Sequence, residues 1–128
     1  MTIDTENDQL LTTNARFIRN VNCSTVPNPV NKRERLFDHS VLFELTVLGG
    51  LVWIQGMRSL YPGNGNASRA LDCLCRLADV HQIQLCLSPA PFGPRGKSLG
   101  VRALREWYGR RGFVQHEGRQ HYVRVPRA

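Results

Sequence analysis

Two runs of strand-forming residues, Val41–Val47 and Leu51–Leu60, flank the pair Gly49-Gly50. Side chains in a strand point alternately to opposite faces, so each run divides into two sets. Val41, Phe43, Leu45 and Val47 fall on one face of the first run, and Leu42, Glu44 and Thr46 on the other. In the second, Val52, Ile54, Gly56, Arg58 and Leu60 share a side, opposite Trp53, Gln55, Met57 and Ser59. Two adjacent glycines accept the left-handed backbone that a two-residue hairpin turn demands. An antiparallel β-hairpin is therefore expected at the centre of the chain, and everything else must pack around it.

Downstream, Tyr61-Pro62-Gly63-Asn64-Gly65-Asn66 reads as a loop. Ala67, Ala70, Leu71, Leu74, Leu77 and Ala78 then recur at three- and four-residue spacing, which predicts an amphipathic helix ending near His81. Ile83–Leu87 is a short strand candidate, and 89–96 is a Pro/Gly loop. Ser98 is a natural N-cap for a second helix with Val101, Leu104, Trp107 and Tyr108 as its inner stripe, and Gly112 is its C-cap glycine. Phe113–Gln115 and His121–Val125 read as a closing hairpin. Residues 1–35 are polar and read as a partly ordered arm, with a short helix near Leu10–Ile18 whose stripe is Leu11, Ala15 and Ile18. No strand pair is evident in the arm. The order of strands and helices predicts an α/β or α+β sheet with helices packed on it.

With 128 residues, 41% hydrophobic and 21% charged, the chain has an ordinary globular composition that excludes collagen-like and wholly disordered readings. Its apolar runs are too short for a membrane-spanning helix, and its first residues lack a basic-then-apolar leader pattern. A soluble, cytoplasmic protein is expected, with no membrane partner. The net charge of +7 resides entirely in residues 65–128, where eleven Lys/Arg face four Asp/Glu. That half should attract polyanions: nucleic acid, a phosphorylated cofactor or an acidic protein. Cys23, Cys73, Cys75 and Cys86 lack metal-ligand spacing and read as reduced thiols, so no metal site is expected.

Three segments invite a chemical reading. Gly63-Asn64-Gly65-Asn66-Ala67-Ser68 lies between strand and helix, where unbonded backbone N–H groups and the helix dipole favour an anion. The bland reading is a plain turn. Gly96-Lys97-Ser98 is not a P-loop, because Pro91 stands where the leading glycine belongs. Trp107-Tyr108-Gly109-Arg110-Arg111-Gly112-Phe113 reads by itself as a helix end, glycine cap and strand start.

Taken in order, the glycine loop before a helix and Tyr108 followed by Gly112-Phe113 resemble the GNAT superfamily of acyl-CoA N-acyltransferases. The resemblance spans roughly Leu42–Pro126 and implies a mixed, mostly antiparallel sheet with splayed central strands, N-terminally shortened. It divides the chain into an arm, 1–35, and an acyl-CoA-binding domain, 36–128. The compact form and Arg-rich tail also resemble small phage-encoded GNAT-like proteins, which would place the protein in a host's cytoplasm.

The resemblance implies acetyl-CoA or CoA as cofactor, with the diphosphate on Gly63, Asn64, Gly65, Asn66, Ala67 and Ser68 and added charge from Arg69. It implies a backbone N–H near Ser59 or Leu60 polarising the thioester carbonyl, and Tyr108 returning a proton to the departing thiolate. Glu44 is a candidate base acting through water, though an exposed strand Glu is the simpler reading. The acceptor would be an amine on a protein or small molecule, and a homodimer is permitted. Two positions depart from the family pattern: Pro62 stands where Gln or Arg is usual, and Val101 where many members place Asn. These departures and the shortened N-terminal part motivate one alternative, a catalytically silent GNAT-like module binding an acidic or host protein; the +7 concentrated after residue 64 motivates another, a basic nucleic-acid-binding protein. For the last, aromatic residues suited to stacking bases are few, since Trp107, Tyr108, Phe113 and Tyr122 fall mostly on inward positions.

Overall fold

The computed structural model describes residues 5–61, 63–88 and 101–127, with only the backbone of 5–11 and 101. The hairpin forms as expected. β3 (Val41–Leu48) and β4 (Leu51–Ser59) are antiparallel, and Gly49 and Gly50 turn between them at φ 59° and 77°. Positive φ at both central positions is the type I′ geometry that matches strand twist. Before the hairpin lie α1 (Thr5–Cys23), β1 (Val26–Pro27) and β2 (Arg35–Phe37). After it come α2 (Asn66–His81), β5 (Leu85–Leu87), α3 (Val101–Gly109), β6 (Val114–Gln115) and β7 (Tyr122–Arg124). The described strands form one seven-stranded sheet in the order β1-β2-β3-β4-β5-β7-β6, antiparallel throughout except between β4 and β5.

One buried cluster joins a single sheet face to the helices. Val41, Phe43, Val52, Ile54, Leu85 and Leu87 meet Phe17 and Val21 of α1, Leu71 and Leu74 of α2, and Leu104 and Trp107 of α3. The α2 stripe is as expected, with Cys75 added to its buried side.

Three expectations change. The first concerns the arm. Its helix runs for 19 residues rather than over Leu10–Ile18, and its buried side is Asn14, Phe17 and Val21, whereas Ala15 is exposed. Asn14 is buried because its amide donates to the Gly50 carbonyl at 2.8 Å, fastening α1 to the hairpin turn. The second is the early strand pair, which does exist: Val26 pairs with Leu36 and Pro27 with Arg35. These strands are too short to show alternation, and Pro27 is tolerated because β1 is an edge.

The third is the facing of β4. Gly56 sits at φ 62°, and the register shifts between Leu42 and Glu44, whose partners are Arg58 and Gln55. Two β4 residues, Gly56 and Met57, thus oppose Phe43, which is a β-bulge. The extra residue inverts the alternation. Met57 joins Val52 and Ile54 in the core, and Arg58 turns out to solvent.

Among the described residues, no helix is long and apolar enough to cross a membrane.

Candidate functional site

β4 and β5 are parallel neighbours for only two positions, Val52 with Leu85 and Trp53 with Cys86. From Ile54 to Ser59, β4 runs on without a β5 partner, so the sheet opens between its central strands. The glycine loop and the start of α2 follow directly at that end.

Backbone geometry decides which amides face the opening. Leu60 donates its N–H to the Ser40 carbonyl at 2.7 Å. Leu60 is therefore engaged with the β3 side. That bond makes Val41 and Ser59 a non-hydrogen-bonded pair, so the Ser59 N–H points away from β3, toward the β5 side. The Ser59 hydroxyl accepts the Tyr61 N–H at 3.3 Å. Of the two positions singled out from sequence, Ser59 thus directs a backbone donor into the opening and Leu60 does not.

The loop supplies the next donors. Gly63 and Gly65 adopt φ 93° and 72°, and Gly65 is the N-cap of α2 with no side-chain cap bond. The first intrahelical bond is Arg69 N–H to the Gly65 carbonyl, at 3.1 Å. The amides of Asn66, Ala67 and Ser68 precede it and have no partner within the helix. A Cβ placed on Gly63 would meet nothing within 4 Å, so the loop backbone is open to approach. Arg69 folds back over the loop, its guanidinium donating to the Asn64 carbonyl at 3.3 Å and to the Asn66 side-chain oxygen. Exposed glycine backbone, unbonded amides and a cation in one turn fit a diphosphate. Pro62 lies outside the described residues, as do the side chain of Val101 and the whole of Arg95, Lys97 and Ser98.

α3 is tied to this turn. Trp107 Nε1–H donates to Ser68 Oγ at 2.9 Å, and the Tyr108 ring lies edge-on to Trp107 at 4.9 Å. Tyr108 is buried, and burial pushes its phenol up to about 12. It stays neutral at pH 7, which keeps a proton on the oxygen. The same residue also caps a helix. Phe113 N–H bonds to the Tyr108 carbonyl at 3.3 Å and Gly112 N–H to the Gly109 carbonyl at 3.0 Å, with Gly112 at φ 94°. This is a Schellman motif, completed by the Tyr108–Phe113 ring contact at 5.5 Å. The run Tyr108–Phe113 therefore has a full structural explanation besides any chemical one.

Other candidates stand apart. Glu44 is half-buried on β3 opposite Gln55. His116 and His121 stack at 4.9 Å, and His121 meets Trp53 at 5.3 Å. All four cysteines are free thiols. Burial raises Cys75 to about 11 and also raises Cys86, so neither is a nucleophile at neutral pH. No metal-binding cluster of His, Cys, Asp or Glu occurs among the described residues. Sequence reasoning missed the Gly56 bulge and the Trp107–Ser68 tie. A glycine inside a strand pattern was the available sign of the bulge; a contact 39 residues apart leaves none.

Sheet order, the parting of β4 from β5 and the helix that follows β4 define a mixed α/β fold with a mostly antiparallel seven-stranded sheet, consistent with a GNAT-like architecture. Among solved structures, the crystal structure of the anti-CRISPR protein AcrVA5 is similar, with a TM-score of 0.51 and 15% identity over 66% of this chain and 90% of that one. No family model and no curated protein matches the sequence.

Proposed function

We propose that the chain binds acyl-CoA at the start of α2 and transfers the acyl group to an amine. The observation that carries this is one juxtaposition: the uncapped first turn of α2 opens at the same end of the sheet where Ser59 aims its N–H past the end of β5. In this reading Gly63–Ser68 and Arg69 hold the diphosphate. A bound acyl thioester supplies the activated carbonyl. The Ser59 N–H is a preorganised donor for oxygen on which negative charge grows. Tyr108 serves as a neutral hydrogen-bond donor to the departing sulfur. With the phenol at about 12 and a thiol ordinarily near ~8.5, complete proton transfer from Tyr108 is uphill, so the attacking nitrogen releases its proton to solvent and the departing thiolate takes one from solvent.

Acetyl-CoA at a hundred times its dissociation constant should stabilise the fold by about 2.7 kcal/mol, read as a rise in Tm. No shift at millimolar acetyl-CoA would overturn the reading. Tyr108→Phe should leave that shift intact and slow acetyl transfer by about 100-fold, the effect of losing one transition-state donor; unchanged turnover would remove Tyr108 from the chemistry.

A second reading is a GNAT-like module that binds a protein partner without turnover. It is favoured by the engagement of the Leu60 N–H and the Ser68 hydroxyl in structural bonds, and by similarity to a protein named an anti-CRISPR. Labelled acetyl appearing on an amine panel would reject it.

A further inference from the structure

The surplus positive charge is not spread evenly, because several arginines are internal fasteners. Arg124 is buried and forks onto Asp79 at 2.8 and 2.9 Å. Arg111 lies over the Trp107 ring and donates to Asp72 at 2.7 Å, joining α3 to α2. These pairs neutralise both acids of α2. The exposed arginines that remain among the described residues of 65–128 are Arg69 and Arg76 of α2, Arg119, Arg127, and a row of three, Arg102, Arg105 and Arg110, on α3 and its final turn. Glu106 is the acid among them, and it reaches Arg102 only at 3.9 Å with both side chains largely in solvent. Such a pair contributes little. Among the described residues, Arg76, Arg105 and Arg110 have no ion-pair partner.

We propose that this outer face of α3 binds the phosphate backbone of double-stranded nucleic acid without reading its sequence. Three properties favour that occupant. The outer face of α3 is Arg102, Ala103, Arg105, Glu106, Gly109 and Arg110, and none of the large exposed apolar residues lies on it. A protein interface needs an apolar or aromatic anchor of a kind absent from the described side chains of this face. Single-stranded nucleic acid needs exposed rings to stack on, and Trp107, Tyr108, Phe113 and Tyr122 are all buried. Duplex phosphate needs neither. From residue 102 to 110 the helix rises about 12 Å, and that length of duplex carries about seven phosphates. The proposal draws on none of the glycine-loop residues, so it stands or falls independently of acyl-CoA binding.

The test is fluorescence anisotropy of a labelled duplex of arbitrary sequence with the full chain, between 50 and 200 mM salt. Three phosphate contacts predict a log–log salt slope of about −2.7. The triple variant Arg102→Gln, Arg105→Gln, Arg110→Gln should cut affinity at least about tenfold and flatten the slope to near zero, with an unchanged Tm. Arg33→Gln, on the distant β1–β2 connection, should change neither. No binding at 50 mM salt, a triple variant that binds like the parent, or equal affinity for poly-glutamate would each overturn the proposal, the last by assigning the surface to an acidic protein.

Discussion

The two ends of α2 are built in opposite ways. At its C-terminus, Gln82 takes the left-handed conformation at φ 55°, and Ile83 N–H closes on the Ala78 carbonyl at 2.7 Å. Asp79 there accepts both prongs of Arg124 and the Arg127 N–H at 2.8 Å, so β7 and the tail are locked onto the helix. At the N-terminus, a glycine caps without a side-chain bond, and the first-turn amides are left to an outside acceptor. The closed end is a piece of architecture. The open end is where the proposed ligand would gain binding energy, since its donors lack partners within the helix.

Breaking the closed end should have the largest effect. Asp79→Ala strands the buried Arg124 guanidinium and should destabilise by about 3–5 kcal/mol, measured by urea unfolding. A loss under 1 kcal/mol would mean the knot is ornamental. The Arg124 hydrogen bonds also hold the Asp79 carboxyl below its ordinary 3.8. Because this folded-state value is depressed, the stabilisation is present above pH 3.8 and is lost as pH falls through the lowered value. The parent should show that acid transition and Asp79→Asn should not.

Ser68→Ala comes next. It leaves Trp107 Nε1–H without its acceptor at the junction of α2 and α3. A cost of about 1–3 kcal/mol is expected, together with weaker acetyl-CoA binding if the first turn is displaced. Gly65→Ala is the mildest. Its new Cβ meets only Arg69 Nη1 at an ordinary 3.6 Å, so the effect is backbone strain at φ 72°, about 1 kcal/mol. A loss well above 2 kcal/mol would show that the loop is packed rather than open.

The contrast between the two ends also separates what sequence discloses from what it conceals. The hairpin was legible because Gly49-Gly50 stands between two strand-like runs, and α2 because its stripe is regular. The facing of Met57 was not, since one glycine at positive φ inverts every residue after it. The arm hid its helix for another reason. Asn14, Asn20 and Asn22 dilute the periodicity, and packing of Phe17 and Val21 decides the structure where propensity does not. The glycine loop was visible as a candidate anion site, but the choice between Ser59 and Leu60 required strand register. Tyr108-to-Phe113 is the most instructive segment. One set of residues satisfies a helix-capping rule and also resembles a GNAT motif, so the pattern alone does not separate scaffold from chemistry. The Asp79–Arg124 lock, 45 residues apart, leaves no local trace.

Amide chemical shifts of the ¹⁵N-labelled protein titrated with CoA test the central claim most directly. Asn66, Ala67, Ser68 and Ser59 should move in a saturable manner while Gln82 and Ile83 stay fixed. Silence at Asn66–Ser68 up to millimolar CoA, or equal movement at both ends of α2, would contradict the account.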